Sequence, residues 1–432
     1  MSAPLLSRRK LLQHSLLLSG SLAATRAFAD GWPALPQSDL SAVELAKDEA
    51  YWRLVSAFYK KTDGIVNLEH GYWGKMALPV EQSYIELTKM VNHQLSYYAR
   101  KDWYGDSKDS VSAVAESLAV PPEEIALTRN ATEAMHNLLF QYKGIKPGDS
   151  LMWADIDYPA FQRTMAALAE QRGATGVEIT LPAQASKQQL LEVYQDKIRS
   201  TANLKLMILT HASNQHGLIL PVAEIAAFAK QHGVDVICDC AQSWGLIDFT
   251  LPELNVDWAV FNLHKWIGSP VGVGALYMRK GTLDKVAPYP GETDPDNTLV
   301  HKRVHMATSN FAAFLAVPDA IRFHHKVGPA AKMARLKYLR ERWVSKARNM
   351  PHIEVLGATD DASASGMGAF RLAGQTSREQ INQLQKRLEN EFGVFTVGRY
   401  DLSSGSCIRV TPQVFTTLQE IDALVDALAS LA

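Results

Sequence analysis

The stretch from Pro121 to Met278 alternates short apolar runs with amphipathic segments, and that rhythm limits the chain to an α/β architecture. The runs Ser150 to Ala154, Gly176 to Thr180, Leu204 to Thr210, Val234 to Cys238, Trp258 to Leu263 and Gly274 to Met278 predict strands. Leu204 to Thr210 is apolar on both faces except at Lys205, as a parallel strand covered by helices on each side must be. Thr132 to Tyr142, Tyr158 to Gln171, Lys187 to Ser200 and Val222 to His232 carry helical spacing between those strands. Lys146-Pro147-Gly148-Asp149 and His232-Gly233 supply turns just before two of the strands.

Beyond Pro329 the pattern changes. A long amphipathic stretch to Asn349 precedes short strands around Ile353 to Val355, Gly368 to Arg371, Val394 to Val397 and Cys407 to Thr411. Helical segments at Ser377 to Glu391 and Thr417 to Leu431 interleave with them, which describes a smaller α+β domain. The expected organisation is a leader over 1–29, an N-terminal segment over 30–76 packing on the small domain, a large domain over 77–325 and a small domain over 326–432. A chain of 432 residues has the length for two such cores.

The leader stands apart in composition. Paired Arg8-Arg9 precede an apolar stretch from Leu11 to Ala24, and Ala27-Phe28-Ala29 places small residues where a signal peptidase reads. Twin arginines in that position indicate the Tat route, which exports folded proteins, with cleavage expected after Ala29 and a periplasmic product. The apolar stretch is short and interrupted by Gln13 and His14, which argues against a lasting membrane anchor.

Charge supplies exclusions. Lysine and arginine total 44 against 45 acidic residues, and the basic run Arg335 to Arg342 is interleaved with apolar residues at helical spacing. It reads as a solvated helix face, so no nucleic-acid partner is expected. The histidines form no metal-ligand set at standard spacing, and no G-x-G-x-x-G follows an early strand, so neither a metal site nor a dinucleotide site is expected. Three cysteines make no disulfide framework; Cys238 and Cys240 share a strand face but are expected to lie too far apart to bridge.

Three short motifs carry chemistry. Asp239 ends an apolar strand and is followed by Ala241-Gln242, in the place where open α/β sheets bind ligands. Lys265, in Asn262-Leu263-His264-Lys265-Trp266, ends another strand among apolar neighbours that would desolvate an ammonium and favour the nucleophilic amine. Asn130-Ala131-Thr132 opens a helix whose free amides suit a phosphate. Each has an ordinary structural explanation when taken singly: a helix cap or metal ligand, a snorkelling lysine, an N-cap.

In this order the three motifs resemble the fold-type I pyridoxal-phosphate (PLP) enzymes, and more closely the class V aminotransferase family in its isopenicillin-N-epimerase-like branch. The resemblance implies PLP as cofactor, with Lys265 as the catalytic Schiff-base lysine. It implies that Asp239 pairs with the pyridine nitrogen and that Gln242 and Asn214 reach the phenolic oxygen. Ala131, Thr132 and His264 lie around the phosphate, and Tyr158 stacks on the cofactor face. Thr308 contributes a phosphate contact across a homodimer with shared active sites. Arg409 binds the substrate carboxylate through its bidentate fork, and Tyr72 is a further candidate substrate contact. Cys407 lies two residues from Arg409 on an expected strand, without the flexible loop that a desulfurase nucleophile requires.

Together with the Tat leader, the resemblance extends to the periplasmic enzymes of pyoverdine maturation. It implies a glutamyl residue of a siderophore precursor as substrate and a succinamide as product. Transamination, decarboxylation and epimerisation are all compatible with the motifs, as is a non-catalytic siderophore-binding protein on the same scaffold. The polar, turn-rich stretch Pro288 to His305 is expected to rim the entrance.

Overall fold

The computed structural model of the protein describes residues 34–293 and 299–432. The expected leader and part of the expected entrance rim lie outside those residues. No helix among the described residues is long and apolar enough to cross a membrane.

A seven-stranded sheet forms the large domain, in the order Ile125–Thr128, Gly274–Met278, Trp258–Asn262, Asp235–Asp239, Leu204–Thr210, Ser150–Ala154, Thr175–Ile179. Gly274–Met278 pairs antiparallel on both sides, and every other pairing is parallel. Trp258–Asn262 and Gly274–Met278 are buried throughout, and so is Leu204–Thr210 apart from a half-buried Lys205. Two-sided burial explains their near-continuous Val, Ile, Leu and Ala content, because helices cover both faces of a parallel sheet. The architecture is the expected one: α/β, with a mostly parallel central sheet and a smaller α+β domain.

The second sheet is five-stranded, in the order Val397–Arg399, Cys407–Val410, Gly368–Leu372, Ile353–Ala358, Gln184–Ala185. Its last strand comes from the large-domain part of the chain and pairs in parallel with Gly357 and Ala358. Val66–Asn67 pairs in parallel with Val394–Phe395. The helix Pro329–Ala347 supplies Leu339, Trp343, Val344 and Ala347 to the core beneath this sheet.

Several elements have no counterpart in the sequence expectations. Helices Leu78–Lys101 and Trp103–Ser117 and the edge strand Ile125–Thr128 fall before or at the start of the alternating region. Cys238 and Cys240 correct an expectation: their Sγ atoms lie 3.5 Å apart, in contact though unbonded. Only Cys238 belongs to the Asp235–Asp239 strand; Cys240 begins the turn after it, so the extended-chain separation does not apply.

Candidate active site

Asp239 and Asn262 terminate adjacent parallel strands, so both open at the carboxyl end of the sheet. Lys265 follows Asn262 in a tight connection to the antiparallel strand at Gly274. Leu263 N–H donates to Val273 O at 3.1 Å, and Gly268 N–H donates to Lys265 O at 3.2 Å. These bonds pin the backbone on both sides of the lysine.

Lys265 is half-buried, and desolvation lowers its amine to about 8; Asp239 pulls the value up, while Arg409 and Arg399 push it down. Burial raises the Asp239 carboxyl, against the Ala241 N–H, which donates to Oδ1 at 2.8 Å, and the charge of Lys265. Lysine and carboxylate therefore sense each other, the lysine held closer to neutrality than in water.

The helix Ala131–Gln141 points its amino end at the same edge. Asn130 caps it by accepting from Glu133 N–H at 2.8 Å, and Asn262 Oδ1 accepts from Ala131 N–H at 2.8 Å. The Thr132 amide and hydroxyl stand outside those bonds, so at this helix start they are the groups placed for a phosphate, whereas the Ala131 amide is already engaged. Gly274 makes the approach feasible: a Cβ there would lie 2.6 Å from the Asn130 backbone. His264 Nδ1 donates to Val273 O at 2.9 Å, and burial lowers the imidazole to about 4, so the ring is neutral with its proton on Nδ1.

Gln242 has a different setting from the one expected. Its Nε2 donates to Gly71 O at 2.9 Å, and its Oε1 accepts from Trp266 Nε1 at 2.9 Å. The side chain thus ties the N-terminal segment to the lysine loop. Asn214 contributes its backbone carbonyl, which accepts from Arg409 Nη1 at 2.7 Å and Arg399 Nε at 3.2 Å.

Tyr158 stands at the N-cap position of the helix Pro159–Gln171 without a side-chain cap bond and is 42% exposed, and Thr308 is exposed just before the helix Phe311–Leu315. Tyr72 is 68% exposed, with its ring edge-on to Trp73 at 5.1 Å. It lines a cavity of about 800 Å³ together with Trp73, Glu69, His70, Lys75 and Val271. Cys407 is fully buried within its strand, and burial pushes its thiol up to about 12, far from a thiolate.

Four participants escaped the sequence reading. Glu69 accepts from Arg409 Nη2 at 2.5 Å, Arg399 approaches the same carboxylate at 3.8 Å, Asn262 anchors the phosphate-site helix, and Lys332 donates from a buried position to Trp266 O. No local motif marks any of them, because each becomes relevant only through a partner distant in sequence.

The class-V aminotransferase family profile matches residues 80–424. The chain belongs to the class V aminotransferase family. It is 26% identical over 344 residues to the isopenicillin N epimerase of Streptomyces clavuligerus, covering 74% of this chain and 83% of that protein. It is 25% identical over 387 residues to a cysteine desulfurase of Haloferax volcanii, covering 85% and 84%. Among solved structures, an apo cysteine desulfurase from Thermococcus onnurineus superposes with a TM-score of 0.75 at 20% identity, covering 87% of this chain and 97% of that one. The cystine C–S lyase C-DES with its product cysteine persulfide superposes with a TM-score of 0.74 at 23% identity, covering 85% and 98%. The protein is accordingly a PLP-dependent enzyme with the fold-type I architecture.

The residues present fit that cofactor. An acidic group raised by burial lies at one strand end, a lysine lowered by burial follows the next, and a helix start beside them keeps the Thr132 amide and hydroxyl available.

Proposed function

We propose that this class V enzyme acts in the periplasm on the glutamyl residue of a pyoverdine precursor, converting it to a succinamide. Lys265 would hold the cofactor, Asp239 would pair with its pyridine nitrogen, and Thr132 with His264 would receive its phosphate. The bound cofactor supplies an electron sink for a carbanion at the substrate α-carbon. Arg409 and Arg399 would orient the carboxylate, and the Lys265 amine would be the base or acid placed for the α-carbon. Thr308, exposed on one subunit, reaches the phosphate of the partner in a homodimer.

The observation that carries this reading is the roughly 800 Å³ cavity beside Gly74 and Glu69, open to solvent and lined by exposed Tyr72 and Trp73. A free amino acid needs far less room, whereas a peptidic siderophore offers planar and polar groups to such aromatic walls. The Tat-type leader supports the location, because it suits an enzyme that acquires its cofactor in the cytoplasm and works outside it.

The conversion releases carbon dioxide and oxidises the α-carbon to the carbonyl carbon of a primary amide. It balances with one dioxygen consumed and one water released per glutamyl residue. Incubating the PLP-loaded protein with the siderophore precursor and reading the product mass tests this directly. Succinamide formation with matching oxygen uptake is expected. Amine-to-ketone exchange, or an unchanged mass with inverted α-carbon, assigns the chemistry to transamination or epimerisation instead. A colourless protein whose Lys265 resists borohydride reduction points to the non-catalytic binding reading.

A further inference from the structure

The guanidinium assigned to the substrate carboxylate already holds a carboxylate. Arg409 is fully buried; its Nη2 donates to Glu69 Oε1 at 2.5 Å and its Nη1 to Asn214 O at 2.7 Å. Glu69 is itself tightly placed, with its side chain only 8% exposed. Its Oε2 lies 3.3 Å from Thr411 Oγ1, whose proton has Leu68 O at 3.0 Å as its nearer acceptor, and its own N–H donates to Asn67 Oδ1 at 2.9 Å. Arg399 Nη2 stands 3.8 Å from the same Glu69 Oε1. Two guanidiniums therefore converge on one internal carboxylate, and Gly71 packs so closely that a Cβ there would lie 2.8 Å from Arg409 Nη2.

An incoming carboxylate that pairs with the terminal Nη edge of Arg409 has to remove Glu69 from Nη2. That exchange replaces one ion pair by another of the same kind, so its Coulomb gain largely cancels, while Glu69 must be re-solvated or re-paired. The free energy that drives it has to come from contacts made elsewhere on the substrate. Space for the displaced side chain exists, because Glu69 borders the 800 Å³ cavity, which Lys60 and Lys75 also line.

We propose that Glu69 is a specificity-determining residue, a built-in carboxylate that holds Arg409 until the carboxylate of an amino-acid residue carried on a larger molecule takes its place. The proposal rests on the assignment of Arg409 to the substrate carboxylate made above. It makes the site poor for free amino acids and small dicarboxylates and selective for an amino-acid group whose remainder fills the cavity. Glu69 acts through Arg409 and is a positioning residue.

Calorimetric titration of the PLP-loaded protein with glutarate tests it, since glutarate has two carboxylates and no amine to react with the cofactor. Glu69→Gln keeps the side-chain shape and removes its charge, and is expected to bind glutarate about tenfold more tightly than wild type, a gain of about 1.4 kcal/mol. For free L-glutamate the same variant lowers KM more than it changes kcat. Glu69→Asp, which keeps the charge but retracts it, is measured alongside and moves affinity the same way by a smaller factor. A folded, PLP-loaded variant of either kind with unchanged or weaker glutarate affinity overturns the proposal and leaves Glu69 a structural partner of Arg409. Arg409→Met, expected to abolish glutarate binding, tests the underlying assignment separately. The mass change on the siderophore precursor remains an independent readout of the reaction.

Discussion

Gly74 N–H donates to His264 O at 2.7 Å, and a Cβ at Gly74 would lie 1.8 Å from the carbonyl oxygen of Lys265. A segment that begins against the small domain thus lies directly on the backbone of Lys265. The same segment carries Glu69 to Arg409 and presents Tyr72 to the cavity. One strap connects both ends of the site.

Gly74→Ala should pull that strap away. No rotamer relieves a backbone clash of this size, so the segment has to shift and lose the His264 bond. A stability loss of about 2–4 kcal/mol is expected from chemical denaturation, together with faster PLP loss in dialysis. A variant as stable as wild type, with unchanged retention, would show that the strap is not structural.

Cofactor capture should report the depressed lysine. Only the neutral amine attacks an aldehyde, so with Lys265 lowered to about 8 the capture rate rises with pH and levels off above that value. An unperturbed lysine would keep rising toward 10.5. Asp239 raises the Lys265 value, so Asp239→Asn moves the midpoint to lower pH. In the cofactor-free protein the same depression is a stability cost, absent above 10.5 and complete below about 8. Stopped-flow absorbance across pH measures the midpoint.

Asp239→Asn should also cut turnover on the order of a hundredfold, because an amide cannot hold a positive charge on the pyridine nitrogen. Its Oδ1 can still accept from Ala241 N–H, so thermal stability should fall far less than activity. Equal losses in both would assign Asp239 a structural role.

Lys332 predicts a pH-dependent stability of its own. Burial lowers its amine to about 7 from 10.5, so the cost of burying its charge is complete below about 7 and vanishes above 10.5. Wild type should gain stability relative to Lys332→Met as pH rises through that window. Urea denaturation at a series of pH values checks the slope, and parallel curves for the two proteins would refute it.

The large sheet was legible because two-sided burial forces an uninterrupted apolar strand, and Leu204 to Thr210 shows that directly. Asp239 and Lys265 were legible for a related reason: a polar residue at the end of such a strand, or in the turn just after it, stands out against it. The helix Leu78–Lys101 was not legible. Its buried positions, Pro79, Val80, Leu87 and Tyr98, are sparse, and a kink at Leu95, where φ is 52°, interrupts its period. Gln184–Ala185 was missed because two residues carry no period, and its place in the small-domain sheet depends on pairing with Gly357 and Ala358.

The sequence by itself determined the α/β class, the strand end at Asp239, the lysine just beyond a strand at Lys265, the helix start at Thr132 and the family resemblance they carry. These are local: burial period, strand ends and caps are written within a few residues. Only the tertiary structure decided how those residues are partnered. Gln242 ties Gly71 to Trp266, Arg409 is held by Glu69 from 340 positions away, and Lys332 supports the carbonyl beside Lys265. Such contacts depend on where distant segments pack, and a side chain's charge state and availability follow from that packing rather than from its neighbours in the chain.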